Sequence, residues 1–173
     1  MRSRYCLPLL AAFAAAGCSS GDAPVSGAVE AASGDAAAAS PTLRDPRERT
    51  DCDGRDVEIG YSDASIVLDG RCGRMTLGGS RLAVNVDEAE AIEVTGDEVT
   101  VINNRKAGIV VAHGDGGTLN LTDADEVTLH GSRNTVLAFR IGRLRIEGSG
   151  NTVNWNEGAT TADGDGRDNT LIR

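Results

Sequence analysis

The chain has 173 residues, of which 3% are aromatic and 25% are charged, and its formal net charge is −9 at pH 7. An acidic surface repels nucleic-acid phosphates, so we expect no nucleic-acid partner. With so few aromatic anchors, a core must be assembled from many small aliphatic contributions, which favours a thin stacked fold over a globule.

The N-terminus has the layout of a secretory signal peptide. Basic residues precede an apolar stretch, residues 7–16, that is too short to span a bilayer. The run from Ala15 to Cys18 resembles a bacterial lipobox, in which the chain is cut before a Cys whose thiol receives the lipid. On this resemblance we expect residues 1–17 to be removed and Cys18 to anchor the protein in a membrane. An ordinary signal peptide that leaves Cys18 free is the alternative.

The next segment, residues 18–50, consists largely of Ala, Gly, Ser, Pro and Asp and has no sustained apolar period. It cannot bury enough surface to offset its chain entropy, so we expect a flexible tether in front of a folded domain at residues 51–173. Ser19 and Ser20 resemble the sorting context of lipoproteins sent to the outer membrane. We therefore expect a cell-envelope location, on the outer membrane and facing the periplasm or the cell surface.

From residue 56 onward the chain repeats with a period of about 18 residues, and some copies are one residue shorter. The phrase Asn-Thr-Val or Asn-Thr-Leu begins at Asn134, Asn151 and Asn169, and weaker copies precede it at the same spacing. A second column of apolar-x-apolar pairs keeps this period. Its members are Val57/Ile59, Met75/Leu77, Ile92/Val94, Ile109/Val111, Val127/Leu129 and Leu144/Ile146. A fixed period with a β phase predicts an all-β, single-domain parallel β-solenoid, or β-helix, right-handed and of about six and a half turns.

Each predicted coil has two strands, a Gly turn between them and a short polar return. One glycine column holds Gly79, Gly96, Gly131 and Gly148, with Tyr61 and His113 as exceptions, and suggests a positive φ once per coil. The Asn column should point inward, because its earlier members are Leu82 and Val99, and the following Thr column should then face outward. Trp155 falls in an inward column, and the polar tail after it should close the stack.

Two cysteines remain in the expected folded domain, and the repeat brings them together. Val57 aligns with Met75, which stacks Cys72 near Gly54, two residues from Cys52, on adjacent coils that are roughly 4.8 Å apart. In an exported, oxidising compartment the two should form a disulfide. Two free thiols are the alternative.

The C-terminal coils resemble the bacterial domain-of-unknown-function family 3060. The family's GxxNTV run, its Trp and Gly, and its aspartate-rich final segment correspond to Gly148–Val153, Trp155, Gly158 and Asp163–Leu171. The resemblance covers roughly residues 51–173 and is most specific in its C-terminal part. It implies an exported repeat protein without an established activity, so it supplies no catalytic residues.

We expect no enzymatic activity and no cofactor. Long parallel β-helices that cleave acidic polysaccharides build clefts from long loops, whereas coils that differ by one residue leave no room for them. His113 and His130 are assigned to different turn columns and have no nucleophile at a recognisable spacing.

Two further binding functions have weak support. Asp163, Asp165 and Asp168 crudely imitate a calcium loop, but the terminal Glu of that loop is absent, which favours a solvated acidic turn. The outward Thr column is similar to that of ice-binding solenoids, but those carry Thr-x-Thr on each strand. Here the residues two places on include Ile102 and Leu137.

The sequence therefore predicts a monomeric, non-catalytic envelope lipoprotein whose rigid solenoid is a binding or structural module. Its expected partners are the membrane, through the lipid, and an envelope protein or glycan. Ile102 and Leu137 mark an outward apolar strip for such a contact. A polysaccharide-binding or polysaccharide-cleaving β-helix and a calcium- or ice-binding solenoid are the alternatives.

Overall fold

The computed structural model of the protein describes residues 41–159 and 161–173. All regular secondary structure in this part of the chain is β-strand. It holds no helix that could cross a membrane. The strands are β1 Leu43–Arg44, β2 Thr50–Asp51, β3 Val57–Ile59, β4 Ala64–Leu77, β5 Leu82–Val94, β6 Thr100–Ala112, β7 Thr118–Leu129, β8 Thr135–Ile146, β9 Thr152–Gly158, β10 Ala162–Asp163 and β11 Thr170–Ile172.

Every strand pairing is parallel, and the strands stack in chain order. The order is β1-β3-β4-β5-β6-β7-β8-β9-β11, and β2 and β10 pair with β4 and β8. Thr100 lies opposite Thr118 on the next coil, and Thr118 lies opposite Thr135 on the coil after it. The first of these two coils is one residue longer than the second, as the repeat predicts. The predicted all-β parallel solenoid is confirmed, and so is its period.

The solenoid begins earlier than the predicted boundary at residue 51. Leu43 of β1 lies opposite Val57, and Thr50 of β2 lies opposite Leu68. This coil is not evident in the sequence because its residues show almost no alternation of apolar and polar side chains. Backbone pairing holds it, together with a two-bond ion pair in which the Arg49 guanidinium donates to Asp69 at 2.5 and 2.7 Å. With β10 and β11 continuing the stack at the other end, the solenoid has about eight turns, more than predicted.

Each central coil is one long strand, not two strands joined by a polar return. β5, for example, runs from Leu82 to Val94 without a break. The strands bend at a corner where the register shifts by one residue, as between Val86 and Glu88, and this shift absorbs the difference between the longer and the shorter coils. Buried Asn103 lies at the corner, and its Nδ2 donates to the carbonyl oxygens of Asp87 and Lys106, at 3.0 and 3.2 Å.

The core consists of aliphatic columns that run along the stack. Five of the six predicted apolar-x-apolar pairs are buried. The exception is Ile109/Val111, because Val110 and Ala112 are the buried residues of that coil and Ile109 is 50% exposed. Three consecutive aliphatic residues fit either phase of a β-strand, and a slip of one residue exchanges inside and outside.

The remaining inward positions follow the predicted columns. Trp155 lies opposite Ala138, is 2% exposed, and donates from Nε1 to the Ala159 carbonyl at 2.7 Å. The small inward residues of the bend form a further column. They are Ala89, Ala107, Ala124 and Ile141, and all are buried. Inside and outside are therefore fixed for every coil, which defines the outward surfaces on which a binding site must lie.

Candidate functional site

The turn between coils explains the repeated phrase GxxNTV. A Cβ on Gly131 would lie 2.0 Å from the Gly114 carbonyl oxygen, and one on Gly148 would lie 1.9 Å from that of Gly131. Gly is therefore required by close approach of the neighbouring coil, and the expectation of positive φ at this column is wrong. Positive φ falls two residues later, at non-Gly residues such as Arg81 and Arg133.

A ladder of side-chain oxygens runs through the position after this glycine, and sequence analysis missed it. The Asp97 carboxylate accepts from the backbone N–H of Asp115 at 2.9 Å, and the Asp115 carboxylate accepts from that of Ser132 at 2.7 Å. Ser62, Ser80, Ser132 and Ser149 do the same through their hydroxyls. Ser and Asp have in common only a side-chain oxygen that can accept a hydrogen bond, so this column is not recognisable as a repeat in the sequence.

The predicted Asn column is built into the same turn. Asn134 and Asn151 are 2% and 0% exposed, and Asn169 is half-buried. Asn151 Oδ1 accepts from the N–H of Asn134 at 2.8 Å, while its Nδ2 donates to the Gly131 carbonyl at 3.1 Å. Asn134 and Asn169 make the equivalent pair of bonds. These amides bind the backbone of other coils and not one another, so their role is structural.

The predicted disulfide is present. Cys52 and Cys72 are joined with their Cα atoms 4.8 Å apart, and both are fully buried. The other predicted features of the N-terminus, namely the signal peptide 1–17, Cys18 and most of the tether 18–50, lie outside the described residues.

The candidate calcium residues do not converge. Asp163, Asp165 and Asp168 are all exposed, and Asp168 occupies the positive-φ position of its turn. In residues 41–159 and 161–173, no group of three or more His, Cys, Asp or Glu side chains is arranged to hold a metal ion.

The two histidines share one turn column, which corrects their assignment to different columns. Their rings stack with centroids 4.7 Å apart and planes 3° from parallel. His130 Nδ1 lies 2.6 Å from a Glu147 carboxylate oxygen. Beside the pair, outward Ile109 and Val111 line a shallow apolar groove. The groove exists because of the phase slip in that coil.

Between Thr100 and Asn156, a surface on the other side of the coils has no charged residue. We call it the uncharged face, and it comprises three outward columns. They are Ser65, Ala83, Thr100, Thr118, Thr135, Thr152 and Thr170; Val67, Asn85, Ile102, Asn120, Leu137, Asn154 and Ile172; and Asn104, Thr122, Phe139 and Asn156. Since a quarter of the chain is charged, this is a strong local departure from its composition.

The middle column of the uncharged face alternates strictly between an aliphatic residue and Asn. From Val67 to Ile172, every second coil carries the aliphatic side chain and the coils between carry the amide. Along the sequence alone, this mixture of aliphatic and Asn residues looks irregular. They form a repeat of two coils, about 9.6 Å at the usual spacing of paired strands.

The apolar members of this face are open to solvent. Ile102 is 39% exposed, Leu137 42% and Phe139 52%. Leu137 and Phe139 line a shallow groove of about 340 Å³ together with Asn120, Asn154 and Asn156. The side chains of Asn120 and Asn156 are exposed, so their amides are available to a ligand.

The bend segments of the same coils form a contrasting surface, the charged face. Its central column alternates in sign from coil to coil. The members are Arg71, Glu88, Lys106, Asp123, Arg140 and Glu157. Lys106 pairs with Asp125 at 3.0 Å and Arg140 with Asp123 at 3.7 Å. The charges largely neutralise one another, and exposed pairs of this kind contribute little to stability.

Four carboxyls at the surface have pKa values below their ordinary range because hydrogen-bond donors stabilise the charged form. They are Asp63 beside Arg81, Asp69 beside Arg49, Asp87 beside the Asn104 amide, and Glu147 beside Arg145 and then His130. Asp69 and Asp87 lie at the N-terminal end of the third column of the uncharged face, ahead of Asn104, and they pair with Arg49 and Arg105. Asp63 and Glu147 lie outside that face.

Fold and surface together define a parallel β-solenoid with one uncharged and one charge-alternating side. A model of the family described as "Protein of unknown function (DUF3060)" matches residues 59–116 and again residues 112–168. The chain belongs to this family. The first matched segment holds β4, β5 and β6, and the second holds β7, β8, β9 and β10, so each match spans several coils. No curated protein matches the chain, and no solved structure does.

Proposed function

We propose that the protein is a non-catalytic lipoprotein of the cell envelope, in which the uncharged face of the solenoid is the surface that binds its partner. The observation that carries the proposal is the absence of charge from three adjacent columns between Thr100 and Asn156, in a chain whose net charge is −9. Charged side chains are well tolerated on exposed strands, and they cover the bend segments of the same coils. Their exclusion here has no explanation in the folding of the solenoid.

An uncharged surface is suited to losing its water. Removing an ionised side chain from water costs several kcal/mol unless it is paired, whereas amides and hydroxyls need only a hydrogen-bond partner. The buried centres of binding interfaces are accordingly depleted of charged residues. Exposed Ile102, Leu137 and Phe139 add apolar area that would be buried by a partner.

The chemistry of the face supports binding in preference to catalysis. From Thr100 to Asn156 its three columns carry Thr, Asn, Ile, Leu and Phe, so it presents no carboxylate, imidazole, thiol or amine. General acid-base catalysis needs such a group in contact with the substrate.

The envelope location rests on the sequence before residue 41. A lipobox-like run ending at Cys18, followed by a segment rich in Ala, Gly and Ser, is the arrangement expected of a lipid anchor with a spacer. The Cys52–Cys72 disulfide fits an oxidising compartment. We therefore propose attachment to the outer membrane, with the solenoid facing the periplasm or the surface.

Charge insertion tests the binding surface. Asn120→Lys places an ammonium group at the centre of the uncharged face, and Thr76→Lys, at an outward position of the opposite side, is the matched control. We expect Asn120→Lys to reduce co-sedimentation of the detergent-solubilised full-length protein with insoluble envelope fragments of its host several-fold, and Thr76→Lys to leave it unchanged. Equal retention of both variants would contradict the assignment of the face.

A substitution at the anchor tests the location. Cys18→Ser should release the protein from the membrane fraction and leave its signal peptide uncut by the lipoprotein peptidase. Detergent phase separation and intact mass measure the two effects. Unchanged partition into the detergent phase would show that Cys18 carries no lipid.

A further inference from the structure

We propose that the uncharged face binds a linear, uncharged β-1,4-linked glycan lying along the solenoid axis, with Phe139, Asn154 and Asn156 as a sugar-binding subsite. This inference rests on the proposed function and names the ligand class of its binding face. Its starting point is the two-coil alternation of the middle column.

A periodic surface selects a periodic ligand. One aliphatic residue and one Asn recur every two coils, so an extended polymer along the axis meets the same pair of groups at each step of about 9.6 Å. In an extended β-1,4-linked glycan successive rings are flipped, and the repeating unit is a disaccharide of closely similar length. Each disaccharide can therefore make the same contacts as the one before, and weak contacts add up along the chain.

The side chains match the chemistry of a pyranose ring. A pyranose has apolar C–H faces and a rim of hydroxyl groups. Phe139 and Leu137, 52% and 42% exposed, offer apolar surface for a C–H face. Asn154, Asn156 and Asn120 lie in the same groove and offer amide donors and acceptors for hydroxyls. Sugar sites of this kind need few polar groups if those groups are well placed.

The charge distribution favours a neutral polymer. Between Thr100 and Asn156 the three columns hold no cation that could pair with a uronate or phosphate. At the N-terminal end of the third column, Asp69 and Asp87 are already paired with Arg49 and Arg105. The outward Thr column next to the middle column supplies further hydroxyls on every coil from Thr100 to Thr170. A neutral polyhydroxylated chain is the polymer whose hydroxyl groups and apolar faces all three columns can contact.

Calorimetric titration of the full-length protein in a detergent without a sugar headgroup tests the proposal. The ligands are cello- and chito-oligosaccharides, and an α-linked glucan and polygalacturonate are the comparison polymers. We expect binding of the β-1,4-linked series that strengthens from trisaccharide to hexasaccharide, and weaker or no binding of the other two. Binding of the α-linked glucan or of polygalacturonate as strong as that of the hexasaccharide would overturn the proposal.

Variants separate the subsite from the fold. Phe139→Ala should weaken hexasaccharide binding about tenfold or more, and Phe139→Tyr should restore it. Ile109→Ala is the matched control, since Ile109 is equally exposed on the other side of the coils, and it should bind normally. Because Phe139 is exposed, its replacement should leave the melting temperature unchanged. Normal binding by Phe139→Ala would overturn the subsite.

Failure of this inference differs from failure of the proposed function. If no glycan binds while Asn120→Lys still abolishes envelope retention, the face binds another partner, such as an envelope protein, and the glycan proposal is wrong. If Asn120→Lys has no effect on envelope retention and no glycan binds, both are wrong. Inhibition of ice recrystallisation that depends on the Thr column, without glycan binding, would likewise overturn the glycan proposal.

Discussion

The uncharged face and the charged face belong to the same coils and share one hydrogen-bonded backbone ladder. On one side Ile102 and Asn120 alternate without a charge, and on the other Lys106 and Asp123 alternate in sign. The ladder itself accepts either kind of residue, since both point outward. The difference in side-chain charge therefore reflects what each side contacts. The charged face is suited to water, and the uncharged face is suited to a partner surface that displaces water.

Both sides also share a repeat of two coils. An alternation of sign lets each charge lie between opposite charges on the neighbouring coils, which keeps a stacked column from repelling itself. No such electrostatic reason applies to an alternation of Asn and aliphatic residues. We therefore attribute the two-coil repeat of the uncharged face to the partner that it binds.

We expect the strongest loss of stability from a substitution that tests which side of the strand faces the core. Asn151→Asp removes the Nδ2 donor to Gly131 and places a carboxylate in a fully buried position, at a cost of several kcal/mol. Thr152→Asp, one residue away and outward, should cost little. Unfolding midpoints of the two variants measure the contrast.

Repeats are stabilised mainly by their neighbours, so the damage from Asn151→Asp should also be local at first. Amide exchange should show early loss of protection from about residue 144 onward, while the coils before it stay protected. Similar, small effects of both substitutions would mean that Asn151 is exposed and that inside and outside have been exchanged.

The second effect concerns the core beneath the charged side. Cys72 lies in the same inward column as Ala89, and its disulfide to Cys52 closes a loop at the N-terminal end of the stack. Reduction should destabilise the protein by about 3 kcal/mol and lower its melting temperature without changing the β signature in circular dichroism. Mass mapping of the non-reduced protein should find the two joined. Rapid alkylation of both thiols under native conditions would contradict the register.

The period and the inward columns could be predicted because they repeat in residue type. Leu82 and Val99 show that the column of Asn134 points inward, and strand alternation then assigns the neighbouring residues to the inside or the outside. The Ile109 coil could not be placed, because a run of three aliphatic residues carries no phase, and the bend that sets the phase depends on one extra residue at the corner. The first coil could not be predicted because it is held by backbone pairing and an ion pair. Neither of these leaves a periodic pattern in the sequence.

The candidate site was only partly predictable for a related reason. Ile102 and Leu137 were identifiable as outward apolar residues, but a face is a property of three columns, and the third begins at the corner where the register shifts. Phe139 enters the site through that corner column. The strict two-coil repeat becomes evident when the residues are set against their partners on neighbouring strands.

A change of pH should alter the stability of the protein only slightly. Donors lower the pKa values of Asp63, Asp69, Asp87 and Glu147, so the folded state holds protons at these groups less readily than the unfolded chain. Their contribution to stability is therefore present above the ordinary carboxyl pKa of about 4 and is lost as the pH falls through the lower, folded-state values. Because all four groups lie at the surface, where solvent screens their charges, we expect only a slight fall in the unfolding midpoint between neutral and acidic pH.

The uncharged face should be indifferent to the same change. It has no titratable group between Thr100 and Asn156, so binding of an uncharged ligand should keep its affinity across this pH range and across salt concentrations, while the stability of the protein responds to both. Titrations at neutral and acidic pH, each at low and high salt, with unfolding followed in parallel, measure the two responses. An affinity that follows the carboxyl titration would place the ligand on the charged face and overturn the division between the two sides.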